Sequence, residues 1–256
     1  MQTIENFNLL QQNQPSSSVE GIQRSRQAEA HTRSPITLQP LPEPDWMDFQ
    51  LPPEHICLIT NDGTALTEKL AQSLIESGLP VVTVSFLDLL NPQSSIPPTI
   101  PHVAIENSDE AHLQQQLSAI ASEYGAIGAV IYLHPLLANR EAEHLMIQQA
   151  FVLAKHLKLP LDRASQKGSS CFMTVTHLDG ALGTAQANYS PIAGGLFGLT
   201  KALRWEWESV FCRAIDFSPD LEVAASVGCI LAELHDPNRL VAEVGYSSQG
   251  RATLVV

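Results

Sequence analysis

The chain has 256 residues, of which 44% are hydrophobic and 16% charged, a balance typical of a protein that folds around a hydrophobic core. Its 27 acidic residues outnumber its 14 basic residues and give a formal charge of -13, so we expect repulsion from phosphate backbones and no nucleic-acid partner. No apolar run approaches the roughly 18 to 20 residues that cross a bilayer, and the first 30 residues lack a signal-peptide core, so we expect a cytoplasmic protein without a membrane partner.

Residues 1–50 differ in composition from the rest of the chain. Gln, Ser and Pro dominate this segment, and it lacks the apolar periodicity that drives burial. We interpret it as a linker or arm that precedes a folded domain over residues 51–256. Trp46, Met47 and Phe49 are the expected anchors of the arm, and we expect Trp46 to be substantially buried against the domain or a neighbouring copy.

From His55 onward, short apolar runs alternate with helical patterns, as in a parallel sheet covered by helices. The predicted strands cover residues 55–60, 80–86, 129–133, 171–176 and 211–217, and a hairpin over 241–256 ends the chain. The predicted helices carry Leu66, Leu70 and Leu74; then Leu113, Leu117, Ile120 and Tyr124; then Met146, Ala150, Leu153 and Leu157; then Leu196, Leu199 and Leu203; and finally residues 221–234. The fourth helix is predicted to begin at Ser190–Pro191. These elements predict a Rossmann-like α/β fold: a doubly wound, mostly parallel sheet with helices on both faces.

Cysteine and histidine spacing predicts no metal site. The four cysteines form no CxxC pair, and the nine histidines form no HExxH helix. No GxSxG elbow supplies a serine nucleophile. Isolated histidines such as His134 and His177 are therefore interpreted as surface residues or satisfied core residues.

The segment AQANYSPIAGGLFGLTKALRWEW, residues 185–207, resembles the active-site helix of the short-chain dehydrogenase/reductase superfamily. The resemblance places Tyr189 at the position of the superfamily's catalytic tyrosine and Thr176 at that of its serine. The lysine position, four residues after the tyrosine, holds Ala193. No cation there lowers the pKa of the phenol, so the resemblance implies that the proton relay is broken and that the chain has no catalytic residues.

The loop after the first strand of the domain departs from the same superfamily. Its TGxxxGxG pattern would fall on residues 60–67, where Asn61, Ala65 and Thr67 replace the three glycines and Gly63 is out of register. Those glycines let the backbone approach a pyrophosphate at a helix N-terminus. The nicotinamide-site turn of the superfamily is likewise lost at residues 132–135. The resemblance therefore implies no cofactor in this chain.

A reductase fold that has lost these motifs resembles the structural, non-catalytic subdomain of ketoreductases in polyketide synthases, and this resemblance implies a truncated Rossmann-like fold. The ending LHDPNRLVAEVGYSSQGRATLVV is similar to the hairpin that leads from such subdomains into the catalytic half. The glycine-rich helix and the Gln/Pro-rich arm are most similar to the first subunit of bacterial omega-3 polyunsaturated fatty acid synthases. This resemblance implies a scaffolding role beside a downstream catalytic ketoreductase subdomain that binds NADPH, with acyl carrier domains upstream in the same polypeptide.

Two alternatives remain open. The chain could be an active NADP-dependent reductase in which Tyr189 works with a repositioned cation, although Lys201 and Arg204 lie 12 and 15 residues farther along, on other helical turns. It could also be a free-standing degenerate reductase that serves as an interaction module. The sequence leaves a homodimer open, and whether this chain alone is an enzyme stays undecided, although the resemblance disfavours it.

Overall fold

A single mixed sheet with a long parallel portion organises the chain. The computed structural model describes residues 34–87, 96–107, 109–135, 140–185 and 190–255. Within these ranges the strands are β1 (Thr37–Pro40), β2 (His55–Thr60), β3 (Val81–Phe86), β4 (His102–Ile105), β5 (Ala126–Leu133), β6 (Cys171–Thr176), β7 (Phe211–Phe217), β8 (Glu243–Ser247) and β9 (Gly250–Val255). Their order is β1-β9-β8-β7-β6-β5-β2-β3-β4, and every pairing from β8 to β4 is parallel. The prediction of a doubly wound, mostly parallel α/β sheet is confirmed.

Helices cover both faces of the sheet. Those in the described ranges are α1 (Ala65–Glu76), α2 (Glu110–Tyr124), α3 (Arg140–Ser165), α4 (Gly195–Glu206) and α5 (Val223–His235). One hydrophobic core lies beneath α2, α3 and α4, and the other lies beneath α1 and α5. None of these described helices is both long enough and apolar enough to cross a membrane.

Strand β2 shows how the sequence produces two cores. Side chains alternate along a strand, so Ile56 and Leu58 enter the core beneath α2 and α3, whereas Cys57 and Ile59 enter the core beneath α1. A strand buried on both faces reads as the continuous apolar run seen here. Leu66, Leu70 and Leu74 of α1 are buried, as their spacing predicts.

Two strands were not predicted from the sequence. Strand β1 lies in the segment that the sequence analysis assigns to the arm, and it pairs antiparallel with β9, with Leu38 opposite Leu254. Strand β4 has four residues, mostly not fully buried, and follows Pro101. Both lie at the ends of the sheet, where backbone pairing does not require an apolar pattern. The compact unit that contains the sheet begins at Ile36.

The prediction that Trp46 is buried against its own domain is wrong. Its side chain is 66% exposed, and Met47 is also exposed. The indole stacks on the imidazole of His235 at the end of α5, with ring centroids 3.9 Å apart, so one face of the ring stays in solvent. Backbone pairing holds this segment instead, since the N–H of Met47 donates to the carbonyl oxygen of His235 at 2.9 Å. Phe49 packs, partly buried, on the core beneath α5.

The fourth helix begins later than predicted. Residues 191–194 form a turn, and α4 starts at Gly195. Ser190 does not cap this helix; its hydroxyl donates to the Glu143 carboxylate on α3 and accepts the N–H of Ile192 at 3.3 Å. Contact with α3 therefore overrides the local Ser–Pro start signal.

Candidate functional site

The sheet reverses its direction of winding between β2 and β5. In open α/β sheets, ligands bind in the crevice outside the carboxyl ends of the strands at such a point. The loop after β2 contains Asn61 and Gly63, Ala65 and Thr67 lie in the first turn of α1, and Thr176 ends β6 at the same edge. The geometry of these residues therefore decides whether the edge can hold a dinucleotide.

The loop between β2 and α1 uses its own side chains to satisfy its backbone. The carboxylate of Asp62 accepts the N–H of Thr64 at 3.0 Å, the hydroxyl of Thr64 at 2.7 Å and the hydroxyl of Thr67 at 2.7 Å. Thr64 in turn caps the helix by accepting the N–H of Leu66 at 3.1 Å. The positive end of the α1 dipole is therefore already matched by a carboxylate of the protein.

The three positions that hold glycine in the superfamily pattern carry side chains here. Asn61 is buried, donates from Nδ2 to the Ser85 hydroxyl at 2.9 Å and accepts the N–H of Gly63 at 2.9 Å. Thr67 is also buried, and its hydroxyl accepts the N–H of Asp62 at 3.1 Å. Gly63 has a φ of 78°, so it serves the turn, and Ala65 is exposed at the start of α1.

These residues do not fit a dinucleotide pyrophosphate. Binding requires free N–H donors at the helix N-terminus and room for close approach. Here the N–H groups of Thr64 and Leu66 have partners within the loop, and Asp62 adds a negative charge where the phosphates would lie. Asp62 is a residue that sequence analysis missed; its place directly before Gly-Thr at a helix start is the signal that could have identified it.

Thr176 and Ala193, at the positions that the resemblance assigns to the catalytic serine and lysine, make contacts within the protein. The Thr176 hydroxyl is buried, 3.2 Å from Asp216 Oδ1 and 3.4 Å from the Ile215 carbonyl oxygen. Ala193 is buried against Leu178 and its neighbours. Tyr189 lies outside the described residues. The described part of the chain thus turns the Thr176 hydroxyl toward β7 and places no cation at position 193.

Two carboxylates organise the loop that follows β6. Asp216 accepts the N–H groups of Leu178 at 2.8 Å and Leu182 at 3.0 Å. Asp179 accepts those of Ala181 at 2.8 Å and Gly183 at 2.9 Å. Burial, partly offset by these hydrogen bonds, raises the pKa of Asp216 to about 6, whereas backbone hydrogen bonds keep the pKa of Asp179 below its ordinary value. The loop is therefore fixed over the ends of the strands by acidic side chains.

Two histidines lie at this edge of the sheet. His134 directly follows β5 and is buried, and His177 directly follows β6 and packs on Phe217 with ring centroids 5.7 Å apart. No described residue provides a hydrogen-bond partner for the Nδ1 atom of either histidine. Burial, together with repulsion from His177, lowers the pKa of His134 to about 4. The sequence feature that could have identified both histidines is their position immediately after a buried strand.

The titration of His134 and Asp216 should affect stability in opposite directions. His134 binds protons less readily in the folded state, so its contribution is lost as the pH falls below the unfolded value of 6.5. Asp216 binds them more readily when folded, so acidification through about pH 6 is stabilising for this group.

The free energy of unfolding should decrease between about pH 7 and about pH 5 because of His134. We therefore expect this decrease to be about 2 kcal/mol smaller in His134→Gln. Asp216→Asn should instead make the decrease larger by about 1 kcal/mol. Urea unfolding at the two pH values measures both effects, with His144→Gln, at an exposed position on α3, as the control. An unchanged pH dependence in His134→Gln would contradict the buried neutral imidazole.

Comparison with solved structures identifies the fold. The chain superimposes on a short-chain dehydrogenase from Leptospira borgpetersenii with bound NAD+ with a TM-score of 0.58 at 12% identity, covering 76% of this chain and 90% of that chain. The fold is that of the short-chain dehydrogenases. A SCOR enzyme from Clostridium thermocellum shares this fold with a TM-score of 0.56 at 11% identity, over 74% and 89% of the two chains. No family model matches the sequence, and no curated protein matches it significantly.

A multidomain protein shows the short-chain dehydrogenase fold in another setting. A structure of the adenylation, ketoreductase and pseudo-Asub domains of a keto acid-selecting NRPS module matches with a TM-score of 0.64 at 16% identity. The match covers 86% of this chain but only 18% of that chain. The fold thus occurs both as a separate enzyme and as a small part of a large synthetase.

Proposed function

We propose that this chain is the non-catalytic structural half of a β-ketoacyl reductase domain in a multidomain synthase of the polyunsaturated fatty acid or polyketide type. The observation that carries the proposal is the Asp62 carboxylate at the N-terminus of α1, where short-chain reductases need free donors for a dinucleotide. The loss of the lysine at position 193 supports it independently. NADPH and the proton relay would belong to a catalytic half in the same polypeptide.

The proposed contribution is mechanical support. Three apolar side chains stay largely exposed on α3 and α4: Phe151, Leu159 and Trp205. Apolar surface of this kind is suited to packing against a neighbouring domain. A catalytic half seated on a rigid sheet would keep its cofactor cleft in one geometry, which is how a scaffold without chemistry raises a rate. Upstream acyl carrier domains would deliver the substrate.

We expect no saturable binding of NADPH or NADH to this chain up to about 1 mM ligand, because the pyrophosphate position is occupied by Asp62 and Thr67. Calorimetric titration is the measurement, and a catalytic short-chain dehydrogenase in the same buffer is the positive control. Saturable binding in the micromolar range would overturn the structural-half proposal and favour the active reductase.

A second test of the proposal is the rate of β-ketoacyl reduction by the Tyr189→Phe variant of the complete synthase polypeptide. Loss of a working general acid typically costs about 10² to 10⁴ in rate, whereas we expect β-ketoacyl reduction to change less than about twofold. A loss in the larger range would make Tyr189 catalytic.

A further inference from the structure

A cavity of about 860 Å³ opens at the amino edge of the sheet, opposite the edge discussed above. It lies where β2 and β5 begin, at His55 and Ala126, and between α2 and α3. Its volume falls within the range of small-molecule pockets, which is about 300 to 1,000 Å³. Neither the proposed scaffold function nor the remnants of the dehydrogenase site use it.

One wall of the cavity is the segment over residues 52–54, which backbone hydrogen bonds of residues 50 and 54 hold in place. The carbonyl oxygen of Glu54 accepts the N–H of Ala126 at 2.9 Å, and that of Gln50 accepts the N–H of Ser169 at 2.8 Å. A Cβ at Gly125 would lie 2.5 Å from the Glu54 carbonyl oxygen, so only glycine allows this approach. Glu54 itself has a φ of 61°, a conformation that costs free energy and persists only where its surroundings enforce it.

The interior of the cavity is apolar. Leu117 of α2, Ile127 of β5 and Leu157 of α3 line it and are nearly fully buried in the core beneath α2 and α3, so the floor does not depend on a ligand for its shape. Ala121, Ala126 and Pro160 keep more of their surface accessible and complete the apolar lining. A preorganised apolar floor favours a hydrocarbon body over a purely polar ligand.

The rim of the cavity concentrates positive charge in an acidic chain. Arg163 and Lys167 line it, and neither side chain has a hydrogen bond or ion pair among the described residues. His156 also lines the cavity and contacts Glu110 at 3.1 Å, while Glu54 contributes one opposing charge. Although the net charge of the chain is -13, the two cations beside this pocket give it a local positive charge, which favours the binding of an anion.

We propose that this cavity binds an organic anion with an apolar body, its carboxylate or phosphate head held by Arg163 and Lys167 and its body lying on Ala121, Ala126 and Pro160. Arginine and lysine pair with both kinds of head, and the floor accepts a chain or ring of either kind of molecule. The site is independent of the proposed scaffold function.

The test is calorimetric titration of the full chain with decanoate, decyl phosphate and the uncharged decanol, all below their aggregation limits. We expect one-site saturable binding of at least one anion and binding of decanol weaker by about tenfold or more. The tighter of the two anions identifies the head group. Absence of saturation with both anions, or equal binding of decanol, overturns the proposal.

Variants locate the site. Arg163→Gln and Lys167→Gln should each weaken anion binding by about 5- to 10-fold, whereas Lys69→Gln, which removes an exposed charge on the opposite face of the sheet, should not change it. Ala121→Trp fills the cavity from α2 and should abolish binding. If circular dichroism shows that this variant does not fold, Ser118→Trp, at an exposed lining position, replaces it. Unaltered affinity in Arg163→Gln and Lys167→Gln overturns the assignment.

Discussion

Replacing Glu233 with glutamine should lower the free energy of unfolding by about 3 to 5 kcal/mol, because the change breaks a buried ion network. Glu233 lies on α5, and its Oε1 accepts the Tyr246 hydroxyl at 2.6 Å and the Arg251 Nε–H at 2.6 Å. Its Oε2 accepts from Arg251 Nη2 at 3.0 Å and from Arg213. Asp236 completes the network by accepting from Arg251 Nη2 at 2.7 Å.

The size of this effect follows from burial. Both arginines and both carboxylates are almost completely removed from solvent, so the network balances two positive with two negative charges out of contact with water. Glutamine at position 233 has the same shape but leaves one arginine charge uncompensated and turns an amide donor toward donor groups. The network also fixes the entering segment, because Arg251 Nη1 donates to the Pro42 carbonyl oxygen at 2.9 Å.

Urea unfolding near neutral pH measures the loss, and Glu206→Gln is the matched control on the exposed surface of α4. We expect the control to change stability by less than about 0.5 kcal/mol. A cost below about 1 kcal/mol for Glu233→Gln would show that water reaches the network.

Replacing Gly180 with alanine should destabilise the chain by about 3 to 5 kcal/mol. The residue lies in the loop after β6 with a φ of 68°, which disfavours any L side chain. A Cβ there would lie 2.2 Å from the Tyr246 carbonyl oxygen and 2.7 Å from the Ser218 nitrogen. Both are backbone atoms of neighbouring chain segments, so the clash cannot be relieved by a side-chain rotation.

The same close approach should make Gly245, within β8, intolerant of a side chain. A Cβ at Gly245 would lie 2.4 Å from the Gly180 carbonyl oxygen, so Gly245→Ala should be destabilising as well. Gly198→Ala is the control, since its Cβ meets nothing within 4 Å in α4 and alanine favours the helix by up to about 1 kcal/mol. Equal melting temperatures for Gly180→Ala and Gly198→Ala would contradict the close approach of this loop to β8.

The sequence could locate the candidate site but not its contacts. The resemblance to the short-chain dehydrogenases implied that Asn61, Ala65 and Thr67 stand at glycine positions of that pattern, where a backbone would approach a phosphate, and the absence of a cofactor stays a prediction. That Asp62 turns back onto the Thr64 N–H and the Thr67 hydroxyl depends on the shape of the loop, which composition does not specify.

The sequence by itself determined the alternation of buried strands and amphipathic helices, and with it the doubly wound sheet. The runs at 55–60 and 171–176 and the leucines at 66, 70 and 74 carry that information, because a periodicity of two or 3.6 residues is a local property of the chain. Tertiary structure alone decided the pairing of β1 with β9, the exposure of Trp46 and the burial of His134. Each of these depends on a segment that is distant in sequence. Strand β9 pairs with β1, the His235 ring stacks on the Trp46 indole, and the end of β6 pairs with the backbone of His134. Such contacts are set by the packing of the whole sheet, so no local pattern encodes them.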